Sequence, residues 1–127
     1  MASLMQKTLI VGFGSPFGND QFGWLVIDEI EKRFPNSVSI VLYKSKGNGV
    51  DWLSEIKDAD KLIIVDAVKS DKPVGYLHEF IFDEDINLEK SSLFTSSHSV
   101  SIVDSVELAR TLGMFTQPIR FLGVEVG

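Results

Sequence analysis

The chain contains no cysteine in its 127 residues. This absence excludes disulfides, thiolate metal sites, iron–sulfur clusters and a cysteine nucleophile. Because disulfides belong mainly to oxidising compartments, a chain that uses none fits the cytosol, and we predict a cytoplasmic protein.

Basic residues are also scarce, since 12 Lys and Arg stand against 18 Asp and Glu, for a net charge of −6. Binding to a phosphate backbone needs a basic face, so no nucleic-acid partner is expected.

Long apolar runs are missing too. The first run, Leu9 to Val11, is too short for a signal-peptide core, and nothing approaches the ~20 residues that span a bilayer. We therefore expect a soluble chain without membrane insertion.

Short apolar runs alternate with amphipathic segments, which predicts one α/β domain over residues 1–127. The predicted strands cover Thr8–Phe13, Ser37–Tyr43, Lys61–Asp66, Tyr76–Phe82 and Ile119–Val126. The predicted helices cover about Gln21–Phe34, Val50–Ile56 and Ser101–Leu112, the last with Gly113 as its C-cap. In the first helix a core stripe is predicted for residues four apart, namely Phe22, Val26, Ile30 and Phe34.

A glycine-rich turn, Gly12-x-Gly14-x-x-x-Gly18, joins the first strand to the first helix. One interpretation is a loose dinucleotide fingerprint. Strand two supplies no acidic residue for a ribose, but Lys44 and Lys46 could meet a 2′-phosphate, so an NADP-binding domain stays an alternative. The other interpretation makes Asp20, where the turn meets the helix, a ligand or catalyst. Residue type alone favours a helix N-cap for Asp20, although Asn19 could cap instead.

Asp66 directly follows the apolar run Leu62 to Val65, at the carboxyl end of a doubly buried strand. In open α/β sheets ligands bind at that edge, at the switch point between neighbouring strands. With a strand order of 2-1-3, Asp20 and Asp66 face each other across one crevice. His98 precedes the third helix, in a loop expected to return to the same edge, whereas His78 is interpreted as an exposed or hydrogen-bonded strand residue.

Two carboxylates and one imidazole suit a divalent ion such as nickel, zinc or manganese, and three protein ligands leave positions open for water or substrate. A serine triad of Ser97, His98 and Asp66 has the right residue types. We rank the triad lower, because adjacent residues seldom point at one another and no nucleophile elbow is present.

Several segments resemble the hydrogenase maturation protease family, the endopeptidases that finish the large subunit of nickel–iron hydrogenases. The resemblance covers nearly the whole chain and is carried by four stretches: residues 9–16 with 18–23 (LIVGFGSP and GNDQFG), 59–68 (ADKLIIVDAV), 95–98 (TSSH) and 121–125 (FLGVE). Carried over residue by residue, the metal-contacting and catalytic positions of the family fall on Asp20, Asp66 and His98.

The resemblance implies a three-layer α/β/α fold of phosphorylase/hydrolase-like type. Its five-stranded sheet is mostly parallel, with an order of about 2-1-3-5-4 and strand four antiparallel. The implied activity is removal of the C-terminal extension of a hydrogenase large-subunit precursor, with recognition of nickel already placed in that substrate. Zinc or cadmium could occupy the same site.

Two departures from the family pattern matter. Residues 44–49 read KSKGNG where an Asp-Gly-Gly-Thr-like stretch is usual, and residue 127 stands where relatives continue into another helix. These departures motivate a second hypothesis, a relative that binds metal or precursor without cutting. They also lead us to expect uncovered apolar surface that a partner subunit or a homodimer contact covers.

Overall fold

A central β-sheet organises the chain. The computed structural model describes residues 6–14, 21–46, 50–57, 59–82, 94–95 and 99–126. The strands are β1 (Thr8–Phe13), β2 (Ile40–Ser45), β3 (Lys61–Ser70), β4 (Leu77–Phe82), β5 (Phe94–Thr95) and β6 (Ile119–Glu125). The helices are α1 (Phe22–Arg33) and α2 (Ser99–Thr111), and a short 3-10 helix covers Asp51–Glu55.

The main sheet has the order β2-β1-β3-β6-β4. The pairs β1–β2, β1–β3 and β3–β6 are parallel, and β4 runs antiparallel to β6. Since β6 is the fifth of the predicted strands, this arrangement confirms the predicted order 2-1-3-5-4 with strand four antiparallel. The two-residue β5 pairs with the end of β3 and lies off the main path.

Apolar side chains cover both faces of the sheet. On one face Val11, Ile64 and Phe121 pack in a cluster that includes the buried α2 residues Ile102 and Val106. On the other face a smaller cluster joins sheet residues to α1, and its members include Ile10, Val65 and Ile27. Alternate residues of a strand face opposite sides, so this split establishes three layers with α1 and α2 on opposite faces.

Two glycines let α1 lie directly on β1. A Cβ added at Gly12 would stand 2.4 Å from the Gly23 carbonyl oxygen, and one added at Gly23 would stand 2.1 Å from the Phe13 carbonyl oxygen. Both distances are shorter than contact allows, so the two backbones meet with no room for a side chain. The glycine at position 12 of the opening turn is thus needed for helix–strand packing.

The end of α2 follows the sequence closely. Gly113 has φ 68° and its N–H donates to the Arg110 carbonyl at 3.0 Å, while the Met114 N–H reaches back to the Ala109 carbonyl at 2.8 Å. A residue in the left-handed region at this place satisfies the last helical carbonyls, which glycine does without strain. The predicted C-cap is confirmed.

The largest differences from the predictions concern the bounds of β2 and β3 and one core residue of α1, while the other element ends shift by at most two residues. β2 begins three residues later than predicted and extends to Ser45, because its ladder with β1 starts at the pair Thr8–Ile40. β3 continues four residues beyond Asp66, because β6 and β5 supply partners there. Phe34 is 56% exposed and so lies outside the core stripe of α1, where Gly23 and Ile27 are the buried residues.

Some apolar surface stays open. On β4, Leu77 and Ile81 are each about half exposed.

None of the helices in the described part of the chain has the length and apolarity that crossing a bilayer requires.

Candidate active site at the carboxyl edge of the sheet

Asp66 is fully buried where the ladder between β1 and β3 ends. The last pair of that ladder is Gly12–Val65, one residue before Asp66. Asp66 shares the side-chain phase of Ile64 and Val68, which belong to the α2-side cluster, so its side chain leaves the sheet on the α2 face. A carboxylate therefore stands at the switch point that the sequence predicted.

The backbone hydrogen bonds of β3 show that the Asp66 carboxylate lies towards β1. The Lys61 N–H donates to Lys7 on the β1 side, and the Val68 carbonyl accepts from Val126 on the β6 side. Backbone groups alternate along a strand, so the Ala67 N–H points to the β1 side. Asp66 Oδ1 accepts that N–H at 2.8 Å. The carboxylate therefore lies towards the space beyond the end of β1, which we name the β1–β3 crevice: the space past Phe13 and alongside residues 67–70.

The alternation of backbone groups along β3 also shows where β5 lies. The backbone N–H and C=O of Lys69 point to the β1 side, whereas the N–H of Ser70 points to the β6 side and donates to the Glu125 carboxylate. Since β5 pairs with Lys69 and Ser70, it lies on the β1 side of β3 and borders the β1–β3 crevice. Beyond β5 the described chain resumes at Ser99, where α2 begins.

The start of α1 borders the crevice from the ends of β1 and β2. Gly23 meets the backbone of Phe13, and the Trp24 indole N–H donates to the Ser45 carbonyl at 2.9 Å. Ser45 is the last residue of β2 and Phe13 the last of β1. The first turn of α1 is therefore fixed to the carboxyl ends of two neighbouring strands.

Two of the three predicted ligands, Asp20 and His98, lie outside the described residues, as does Ser97 of the serine-triad alternative. Within the described ranges the structure holds no group of three or more His, Cys, Asp or Glu side chains able to bind a metal ion. The convergence of Asp20, Asp66 and His98 accordingly stays a prediction.

A second polar group lies at the same edge, where β3, β6 and β4 meet. The Glu125 carboxylate accepts the Ser70 N–H at 2.7 Å, the Ser70 hydroxyl, and His78 Nε2 at 3.0 Å. The bond from the Ser70 hydroxyl is the main cause, with those from His78 and the Ser70 N–H, of a Glu125 pKa lowered to about 2, although burial opposes the shift. We call these residues the Ser70–His78–Glu125 cluster.

No role is predicted for Glu125 or Ser70 from the sequence. A signal was present, because Phe121, Gly123 and Glu125 share one phase of a strand whose pattern places them all inside. A carboxylate in the buried phase of a strand needs hydrogen-bond partners. The interpretation of His78 as a hydrogen-bonded strand residue is confirmed, since its ring is bonded to Glu125.

A third polar group closes the end of β2. The Asp51 carboxylate accepts the Ser45 hydroxyl at 2.6 Å, the Tyr43 hydroxyl at 3.2 Å and the Lys46 N–H at 3.2 Å. Burial first, and then the nearby Asp51 charge, raise the pKa of Tyr43. These bonds hold the chain where it leaves β2.

The arrangement around β1 and β2 disfavours the dinucleotide alternative. Lys44, one of the two candidate contacts to a 2′-phosphate, forms an ion pair with Asp28 of α1 at 2.6 Å. The Gly23 backbone occupies the space beside Gly12, so the absence of a side chain at Gly12 is explained by helix packing. A cavity of about 500 Å³ lies at the opposite, amino-terminal edge of the sheet, where Lys61, Ile63 and Arg120 line it.

Comparison with known proteins agrees with this geometry. A family profile described as hydrogenase maturation protease matches residues 24–126. A putative hydrogenase maturation protease of Methanocaldococcus jannaschii is 34% identical over 98 residues, which are 74% of this chain and 61% of that protein. The hydrogenase 2 maturation protease of Escherichia coli is 25% identical over 122 residues, covering 93% of this chain and 72% of that protein.

Solved structures share the fold. An endopeptidase from Escherichia coli superposes with a TM-score of 0.76 at 21% identity, covering 94% of this chain and 74% of that one. The hydrogenase maturation protease HybD from Thermococcus kodakarensis gives a TM-score of 0.75 at 19% identity, covering 96% of this chain and 81% of that one.

The layered sheet, with a buried carboxylate at its switch point, therefore has the fold of the endopeptidases that mature hydrogenases. Since the family profile spans most of its length, the chain belongs to the hydrogenase maturation protease family.

Proposed function

We propose that the protein is an endopeptidase that removes the C-terminal extension of a nickel–iron hydrogenase large-subunit precursor. In this proposal Asp20, Asp66 and His98 contact nickel that the precursor already carries. The nickel belongs to the substrate, and zinc or cadmium could take its place at the same ligands. Family membership supports the peptidase activity and the hydrogenase precursor as substrate.

The observation that carries the proposal is the position of Asp66. Its carboxylate is buried at the carboxyl edge of a parallel sheet and turned towards the β1–β3 crevice. The described neighbours of the other two ligands border the same crevice: the first turn of α1 follows position 20, and β5 precedes position 98. Ligands of open α/β sheets bind at such a switch point.

The donor set suits the proposed chemistry. Carboxylate oxygens and an imidazole nitrogen bind divalent nickel or zinc, and a three-ligand set leaves coordination positions for groups of the substrate. A metal ion held there would polarise the scissile carbonyl or activate a water molecule. The role of the chain's own ligands is to bind the nickel of the precursor and so to position the scissile peptide bond at the site.

Incubation with the nickel-loaded precursor tests the proposal, with loss of the extension followed by mass spectrometry. We expect cleavage by the unchanged protein and a fall of about 100-fold or more for Asp66→Asn, which removes the charge yet can still accept the Ala67 N–H. Asp28→Asn is the matched control, since it makes the same change at a surface residue of α1, and it should cleave within about twofold of the parent. Full cleavage by Asp66→Asn would reject the site.

The second candidate is a relative that binds the metal or the precursor without cutting. The feature that favours it is the sequence KSKGNG at residues 44–49, where an Asp-Gly-Gly-Thr-like stretch is usual in the family. It predicts capture of the nickel-loaded precursor with the extension left intact. The same incubation separates the two candidates, because only the endopeptidase shortens the precursor.

A further inference from the structure

The Ser70–His78–Glu125 cluster lies where β3 has left its partners in the main sheet. The ladder with β1 ends at Val65 and the ladder with β6 ends at Val68. Lys69 and Ser70 nevertheless continue in extended form and pair with β5. Interactions outside the ladders with β1 and β6 must therefore keep these two residues extended.

Glu125 supplies that hold from the β6 side. One oxygen of its carboxylate accepts the Ser70 N–H at 2.7 Å, in the position where a further strand residue would offer a carbonyl. The other oxygen accepts hydrogen bonds from the Ser70 hydroxyl and His78 Nε2, which joins the second residue of the β4 strand to the same carboxylate. The Ser70 hydroxyl in turn accepts the Lys72 N–H at 3.0 Å and closes the turn after β3.

The two sides of this short segment thus serve different partners. The β6 side is bonded to Glu125, and the β1 side pairs with β5, which borders the β1–β3 crevice. We propose that Glu125 is a positioning residue: by holding Lys69 and Ser70 extended, it fixes β5 and so the point from which the chain proceeds to His98. This inference rests on the ligand role of His98 in the proposed function.

The charge of Glu125 matters for this role. An ionised carboxylate accepts all three bonds at once, whereas a glutamine amide offers one oxygen and an NH₂ group that itself needs acceptors. The low pKa of Glu125, caused first by its bond from the Ser70 hydroxyl, keeps the acceptor form at neutral pH. Glu125→Gln therefore replaces one acceptor oxygen by an NH₂ donor without changing side-chain volume, so the Ser70 N–H, the Ser70 hydroxyl and His78 cannot all donate to position 125 as they do to the carboxylate.

Amide hydrogen exchange tests the inference without any metal. In Glu125→Gln we expect the Lys69 and Thr95 amides to exchange about 10-fold faster than in the parent. Ile119→Val is the matched control, because it removes one buried methyl group from the other end of β6 and should leave both amides unchanged. If Glu125→Gln does not fold, Ser70→Ala removes one of the three bonds and should shift the same amides in the same direction. Unchanged exchange at Lys69 and Thr95 in the folded variant overturns the inference.

A calorimetric titration with Ni²⁺ alone supplies the functional readout. Removal of groups that orient metal ligands commonly costs 10–100-fold in affinity, so Glu125→Gln should weaken binding by about 10-fold or more. Ile119→Val should bind as the parent does. Equal affinity in Glu125→Gln and parent contradicts the positioning role. Absence of Ni²⁺ binding by the parent counts against the proposed ligand set, while the exchange experiment still decides whether Glu125 fixes β5.

Discussion

Asp66 and His78 occupy one row of the sheet, on either side of Gly123. Asp66 of β3 is in register with Gly123 of β6, and Gly123 is in register with His78 of β4. Paired residues face the same side, so both side chains leave the sheet on the α2 face with no β6 side chain between them. Two buried polar residues, Asp66 and His78, thus lie on one face at the edge that the proposed function uses.

The contact between Gly12 and Gly23 should tolerate no side chain. Gly12→Ala places a methyl group 2.4 Å from the Gly23 carbonyl oxygen and 2.6 Å from Ile27 Cγ1, so α1 has to move away from β1. We expect a loss of about 3 kcal/mol in the free energy of unfolding, measured by urea denaturation.

Lys57→Ala serves as the control for this prediction, since Lys57 is exposed and its replacement should stay within about 0.5 kcal/mol. A Gly12→Ala protein as stable as the control would show that the helix is not seated directly on the strand.

Trp24 should stabilise the protein through its indole N–H. Trp24→Phe keeps an aromatic ring but loses the bond to the Ser45 carbonyl, and we expect a cost of about 1 kcal/mol in urea denaturation. Leu25→Val, at the next and half-exposed position of α1, should cost less than about 0.5 kcal/mol. Equal midpoints for the two variants would argue that the bond contributes nothing to stability.

Glu125 should make stability depend on acid pH. Its pKa is about 2 in the folded protein against an ordinary value of 4.5, so the unfolded chain takes up the proton first as the pH falls. The stabilisation is complete above about pH 4.5 and is lost as the pH falls towards about 2.

Glu125→Gln lacks this titration, which makes the comparison direct. We expect the difference in urea midpoint between parent and Glu125→Gln to narrow steadily from about pH 5 to about pH 3. A difference that stays constant over that range would mean that the folded-state carboxylate is not held in its ionised form.

The sequence predicted most of the fold because its apolar runs are unambiguous. β1 has the predicted bounds, and the order of the five main strands is the one that the family resemblance implied. Local signals placed Gly113 at the end of α2, where its φ of 68° confirms the cap. The predicted boundaries were wrong where pairing with strands distant in sequence sets the end of a strand. β3 extends to Ser70 because β5 and β6 continue its ladder.

The candidate site was predictable only in part. Asp66 could be found, since a carboxylate after a buried apolar run marks the ligand-binding edge. The Ser70–His78–Glu125 cluster could not, because its bonds join residues 8 to 55 positions apart and depend on the register of three strands. Only the buried phase of Glu125 in β6 hinted at it.

Single replacements of the three proposed ligands should separate binding from folding. We expect Asp20→Ala, Asp66→Ala and His98→Ala each to lose cleavage of the nickel-loaded precursor by about 100-fold or more while remaining folded by circular dichroism. Full activity in all three variants would reject the ligand assignment.

A crystal structure of the protein grown with Cd²⁺ or Ni²⁺ is the decisive test of the three-ligand site. We expect one ion in the β1–β3 crevice, with carboxylate oxygens of Asp20 and Asp66 and a ring nitrogen of His98 at about 2.0–2.4 Å. An ion bound elsewhere, or the His98 imidazole on the far side of the molecule from Asp66, would contradict it.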